Sequence, residues 1–512
     1  MYSKVTSGAV YGIEGRIIHV EADISDGFPT YSLVGYLASE VKEAKERVTT
    51  SIRNSGFKIP SKRIIINLSP ANLRKQGTLF DLPIAISILS SLGFISSRNL
   101  RDFIIVGELG LNGEVAPVNG ILPIINMAVK HGFRSCIVPS VNAKEGMLSG
   151  NVRVMGVKNL TEAIEYINGK RESSWHKHQP ILSSIYNSNG FEEDFDEIYG
   201  QELLKRSIEI AVAGRHHMLI MGSPGAGKTM AVRRIPTVMP PLAREEALEV
   251  ASIYSVNGKF DEIWEGKIRR PVRQPHHSIT DKAMAGGGVI PKPGEITLSH
   301  NGLLFLDELG EFNSKALEIL RQPLEDKKIM ISRTHGDYIF PADFLLVAAM
   351  NPCRCGHYPD KTKCTCTAGQ IRRYLSNISQ PLLDRFDLCT EASKPDCQKF
   401  MRREKGRSSL TMRGCIEAAI GRQESRYEHE DIHFNGQLSG KAIDAYCLPD
   451  AGGQQLLNEA FEKMNFSARA YYKILKVART IADLGDSDIV SSQHISEAIY
   501  YRVLEHKYQE GR

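Results

Sequence analysis

Met218-Leu-Ile-Met221-Gly222-Ser223-Pro224-Gly225-Ala226-Gly227-Lys228-Thr229 is the stretch that decides the fold. An apolar run with the character of a buried strand passes directly into a glycine-rich loop that ends on Lys-Thr. Between a strand and a helix, G-x-x-x-x-G-K-[ST] is the pattern of a phosphate-binding loop. Its glycines let backbone N–H groups converge on phosphate oxygens, and the helix that follows adds the partial positive charge of its N-terminus. In such a loop Lys228 reaches the β- and γ-phosphates of ATP and the Thr229 hydroxyl binds Mg²⁺.

A second apolar run, Leu303-Leu-Phe-Leu306, ends on Asp307-Glu308. Parallel sheets place ligands at the C-terminal ends of their strands, so the two acids are expected beside the phosphates. Asp307 is expected to hold Mg²⁺ through its water shell, and Glu308 to orient and polarise the attacking water. A third run, Phe344 to Met350, ends on Asn351, whose amide is placed to reach the γ-phosphate or that water. Arg385, in Leu382-Leu-Asp-Arg385-Phe-Asp387, follows a helical stretch and suits a finger that projects into a neighbour's ATP site. The alternative for Arg385 is a local ion pair with Asp384 or Asp387. Ser467 is a plausible N-cap with Arg469 in the turn beyond it, and Tyr471, Ile474, Leu475, Ala478, Ile481 and Ala482 form one apolar face. From such a helix Arg469 contacts phosphate; otherwise it is a solvated surface arginine.

Cys353-Arg-Cys355 and Cys364-Thr-Cys366 directly follow Asn351. Four thiolates in two close pairs suit tetrahedral Zn²⁺, although C-x-C is tighter than the usual C-x₂₋₄-C. Free reduced thiols and a redox pair are the other readings. Basic residues that suit DNA phosphates fall in three places. Lys327, Lys328, Arg333 and His335 lie in a hairpin with its turn near Gly336, Lys282 and Lys292 flank a glycine-rich segment near His276-His277, and Arg402, Arg403, Lys405, Arg407 and Arg413 form a run.

The remaining features bound the class. The chain has 512 residues, enough for several domains, with 42% hydrophobic and 24% charged residues and a net charge of +5, which neither demands nor excludes nucleic acid. The start has no apolar signal core, and Leu82 to Ile95 is too short and too interrupted to span a bilayer. Nine cysteines, four of them clustered, do not form a secreted disulfide framework, so a cytoplasmic protein is expected. Residues 1–169 mix short β-rich runs (Arg63 to Leu68, Phe103 to Leu109, Ser135 to Pro139) with helices; 170–195 is a polar linker; 196–392 alternates strands and helices; 393–512 is helical.

With these motifs in hand, nearly the whole chain resembles the ComM/YifB family of magnesium-chelatase-like AAA+ proteins. Asp196-Glu-Ile-Tyr-Gly200-Gln201, Arg273-Gln-Pro-His276-His277, Gly286-Gly-Gly288, Pro293-Gly294-Glu295, His300-Asn-Gly302 and Ser467-Ala-Arg469 carry the likeness. The resemblance implies an α/β fold: an AAA+ P-loop motor with a helical lid, preceded by a Lon-protease-like (S5-type) α+β domain. It also implies a homo-hexamer with ATP sites between subunits, and an ATP-driven DNA branch-migration helicase that serves homologous recombination during natural transformation. Two rivals remain: a magnesium-chelatase-like ATPase that remodels a protein partner, and an ATP-dependent protease. Gly107-Glu-Leu-Gly-Leu-Asn-Gly113-Glu-Val is similar to the Lon proteolytic domain and the related domain of RadA. However, Asp81 stands where the catalytic serine of Lon belongs and Leu122 where its lysine belongs. Leucine cannot serve as a base, so proteolysis is disfavoured.

Overall fold

The computed structural model describes residues 1–150, 152–171, 193–265, 267–334, 336–360, 362–393, 405–464 and 466–509. Most of the expected linker, together with His335, Arg402 and Arg403, lies outside the described residues.

The amino-terminal region is built on a seven-stranded sheet. Two long strands, Tyr2–Tyr11 and Glu14–Ser25, form a hairpin closed by a two-residue turn at Gly12-Ile13, where Gly12 has φ +66°. Alternate residues such as Val5, Val20, Ala22 and Ile24 face inward onto the helix Asp81–Ser91, which is buried almost throughout. That burial accounts for the apolar run from Leu82, which is too short to span a bilayer. Among the described residues no helix is long and apolar enough to cross a membrane.

The second sheet has five strands in the order Val272–Arg273, Leu303–Leu306, Leu345–Met350, Met218–Met221, Leu388–Glu391. Every neighbouring pair is parallel. The three central strands are wholly buried, as a parallel sheet with both faces covered requires. The strand ending at Asn351 therefore lies between the phosphate-loop strand and the Asp-Glu strand, which gathers three chemically distinct chain segments at one sheet edge.

Helices Ser409–Arg426, Lys441–Tyr446, Ala451–Met464, Ala468–Leu484 and Ser492–Gln509 follow. Met218, Ile220 and Val347 of the sheet share one continuous apolar cluster with Ile474, Leu475 and Ala478 of these helices. Two residues ahead of position 196 also pack with this part of the chain. Phe195 is fully buried in that cluster, and Asp194 accepts from the Ser409 backbone N–H (2.9 Å). A polar composition hid one anchoring phenylalanine.

Helix Ile121–Lys130 packs the amino-terminal region onto helix Arg244–Asn257. Leu122, at the position of the Lon lysine, is fully buried in a cluster with Val250, Ala251 and Tyr254, and its backbone N–H donates to the Ser255 hydroxyl (3.2 Å). Asp81 is equally buried and receives both Nε (2.7 Å) and Nη2 (3.0 Å) of Arg47. Burial raises the Asp81 carboxyl and Arg47 opposes that rise. Both residues are thus committed to structure.

Beside this interface, burial pushes the Glu145 carboxyl up to about 7; hydrogen bonds from Asn142 and Ser255 and the charge of Lys144 oppose the rise, and Asp261 adds to it. A carboxyl with a raised folded pKa favours the fold below its unfolded pKa, and that contribution is lost as pH climbs through the folded value. The structure is therefore expected to lose up to about 3 kcal/mol between the ordinary carboxyl range and neutrality, at about 1.4 kcal/mol per pKa unit. Glu145→Gln keeps the Asn142 contact and removes the titration. Thermal unfolding followed against pH should show a flatter slope for the variant, and equal slopes would refute the assignment.

Candidate nucleotide site

The loop between Met221 and Lys228 turns through Gly225 (φ +74°) and Gly227 (φ +81°), a backbone region that disfavours side chains. A Cβ on either glycine would meet nothing within 4 Å, so both border open space. Helix Lys228–Val238 starts directly from Gly227. The loop thus has the requirements of a phosphate cradle: exposed backbone, no side-chain obstruction, and a helix N-terminus.

Two hydrogen bonds tie the three segments together. Lys228 Nζ donates to Asn351 Oδ1 (2.9 Å) as well as to the carbonyls of Gly222 (2.6 Å) and Ser223 (3.1 Å). Thr229 Oγ1 donates to Asp307 Oδ2 (2.8 Å). Partial burial lowers the Lys228 ammonium from its ordinary value, while Asp307 and Glu308 pull it back up. A hydroxyl and a carboxylate in contact beside an ammonium are the oxygen donors that a Mg²⁺–phosphate pair requires, because Mg²⁺ favours oxygen ligands and keeps much of its water.

Glu308 follows with φ +54°, its backbone N–H on Asp307 Oδ1 (3.0 Å) and its side chain 58% exposed. His277 Nδ1 lies 3.6 Å from Glu308 Oε2, and the rings of His276 and His277 are 4.0 Å apart. Gln201 also meets the loop, with φ +61° and its amide on the Ala226 carbonyl (3.1 Å) and on the Ser393 carbonyl. Unlike Glu308, Gln201 and His277 carry no sequence signal of their own beyond the family likeness.

Arg469 is exposed in the first turn of helix Ala468–Leu484, whose N-cap Ser467 accepts from the Ala470 N–H (3.2 Å). Arg385 is 11% exposed, and its pairing within the chain is with Glu325 rather than with Asp384 or Asp387. Asp387 is instead bound by Lys473 (3.0 Å) and by the His217 backbone N–H (3.1 Å).

The four cysteine sulfurs, Cys353, Cys355, Cys364 and Cys366, lie within 4.8 Å of one another. Among the expected DNA-contact residues, Lys282, Lys292 and Lys328 are exposed. Lys327 falls outside the hairpin Lys328–Arg333/Gly336–Pro341 and pairs with Asp343 (3.0 Å), while Arg333 Nε donates to the Gly288 carbonyl (3.1 Å). Within the chain, Lys327 and Arg333 thus each have a partner. A long side chain close to a carboxylate or a carbonyl folds back onto it. The hairpin's Tyr338 also stacks on Tyr11 of the amino-terminal hairpin, with centroids 4.3 Å apart.

A five-stranded parallel sheet with these segments at its C-terminal edge, joined to a helical lid, defines a AAA+ P-loop ATPase. Residues 194–400 match the family described as "Magnesium chelatase, subunit ChlI", residues 20–142 match "Subunit ChlI of Mg-chelatase", and residues 406–502 match its C-terminal model. "Uncharacterized protein YifB" of Salmonella typhimurium is 40% identical over 502 residues, 98% of this chain and 97% of that protein. "Competence protein ComM" of Haemophilus influenzae is 39% identical over 503 residues, again 98% and 97%. "Lon protease 2" of Bacillus subtilis is 29% identical over 187 residues, 31% of this chain and 32% of that one. The chain belongs to the magnesium-chelatase-like ComM/YifB family of AAA+ ATPases.

Proposed function

We propose that the chain is the subunit of a homo-hexameric, ATP-driven DNA translocase that migrates branched junctions during homologous recombination in the cytoplasm. The observation that carries the motor is the meeting of Lys228 with Asn351 and of Thr229 with Asp307 across three segments. The likeness to a competence protein over almost the full length supports DNA as the substrate.

In this reading residues 222–229 hold the ATP phosphates, and Thr229 and Asp307 hold Mg²⁺. Mg²⁺ neutralises charge that develops on the phosphates. Glu308 accepts the proton of the attacking water, Asn351 fixes the Lys228 ammonium, and Arg469 meets phosphate when the lid closes. The four cysteines hold one structural Zn²⁺. Lys282, Lys292 and Lys328 track DNA phosphates, with Arg333 bracing Gly288 beside them.

ATP hydrolysis measured with and without forked DNA tests the assignment. Several-fold stimulation that fades as salt rises is expected, since neutralised phosphates release counterions. A rate indifferent to DNA but raised by a protein partner would transfer the chain to the chelatase-like class.

A further inference from the structure

We infer that the four-cysteine loop is a metal-locked wall of the nucleotide pocket, so that ATP binding depends on Zn²⁺ being in place. This inference rests on the ATP and zinc assignments proposed above. It adds a mechanical link between the two sites.

The sulfur geometry fits a metal. Zn–S bonds of about 2.3 Å in a tetrahedron set sulfur–sulfur separations of roughly 3.8 Å. Here Cys353 and Cys355 are 3.3 Å apart, Cys355 and Cys364 3.6 Å, and Cys353 and Cys364 3.8 Å. All are well beyond the roughly 2.05 Å of a disulfide. Zinc bound by four thiols releases their four protons to solvent and leaves four thiolate ligands.

The link to nucleotide is short. Asn351, which receives Lys228 Nζ at 2.9 Å, is followed by Pro352 and then by Cys353. Cys353 is fully buried, in the same apolar cluster as Met221, Leu306 and Met350 at the ends of the three central strands. Farther along, Gly356 presses on the phosphate loop, where a Cβ would come within 2.3 Å of Pro224 Cδ. Gly356, His357 and Tyr358 share a cavity of about 520 Å³ with Gly222 and Ser223.

Beyond the packing of Cys353 and Tyr358 on the core, regular secondary structure does not hold this wall. Among the described residues from 352 to 367 there is no helix or strand, and the backbone bonds are isolated turns such as Gly356 to Cys353 and Cys364 to Asp360. Thiol–thiol contacts are weak hydrogen bonds. A metal joining both ends of the loop supplies the missing constraint, and its loss frees Asn351 and Pro224 together.

The test uses the full chain carrying Glu308→Gln, so that bound nucleotide is not consumed. Metal analysis is expected to find one zinc per chain. Zinc is then stripped with a chelator and the protein desalted into Mg²⁺. Affinity for a fluorescent ATP analogue should fall about tenfold or more, as expected for displaced binding groups, and return when zinc is restored. Cys364→Ser with Cys366→Ser should reproduce the loss, and Cys366→His, which keeps a zinc ligand, should largely avoid it. Protein isolated without zinc that binds the ATP analogue as tightly as zinc-loaded protein, or stripped protein with unchanged affinity, overturns the inference. Zinc-loaded protein that binds no nucleotide overturns the ATP site itself and the wall with it.

Discussion

Replacing Glu308 by Gln is expected to lower ATP turnover by about 10²–10⁴-fold while nucleotide affinity stays near that of the unmodified chain. Glutamine retains the shape and the hydrogen-bonding reach of glutamate but cannot accept the proton of the attacking water. Binding is assigned to other groups: the loop backbone, Lys228, and the Thr229–Asp307 pair, whose hydrogen bond at 2.8 Å does not involve Glu308. Glu308 is also free of structural duty, since its side chain is 58% exposed and its polar neighbour, His277, stands 3.6 Å away. Steady-state hydrolysis beside equilibrium binding separates the two effects. Turnover within a few-fold of the unmodified chain would assign the water to another residue.

The parts of this site that were legible in the sequence are those in which chemistry and local structure share one short stretch. An apolar strand that ends in Gly-Ser-Pro-Gly-Ala-Gly-Lys-Thr, or in Asp-Glu, or in Asn351, announces both its burial and its polar terminus. Sheet order is different. It depends on which strands pair, so the placement of Leu345–Met350 between the other two follows only from the fold, although it brings Asn351 to Lys228. Side chains that act over long sequence separations were also hidden. Gln201 reaches the Ala226 carbonyl only because a left-handed residue turns the chain there, and glutamine has no strong preference that marks such a site. Leu122 and Asp81 were legible as departures from a protease, but not as what they became. One is an anchor between regions, and the other is the buried partner of Arg47. For the basic hairpin, a count of charges does not reveal which side chains already have partners within the chain, as Lys327 and Arg333 do.

Mixing chains that carry Lys228→Ala with chains that carry Arg385→Ala is expected to restore hydrolysis that neither possesses alone. The argument is positional. Leu388, which follows Arg385 by three residues, pairs with Met218 at the start of the phosphate-loop strand, whereas the phosphate loop leaves that strand at its far end. The three residue steps from Met218 to Met221 hold the two ends roughly 10 Å apart. Arg385 is further fixed there: Phe386, beside it, offers its carbonyl to Lys473 (2.9 Å) and Arg502 (2.9 Å) of the lid, and Asp387 is bound by Lys473. If Arg385 serves phosphate from that end of the strand, it does so in another copy of the chain. Loss of such a finger lowers turnover by about 10³–10⁵. In a mixed ring, a chain with Arg385→Ala still holds ATP and takes its arginine from a neighbour with Lys228→Ala. Glu325, the partner left behind by Arg385→Ala, is 54% exposed and remains solvated, so the variant is expected to fold. Mixtures no more active than the sum of their separate components would place Arg385 in a purely structural role and remove the main physical reason for a ring.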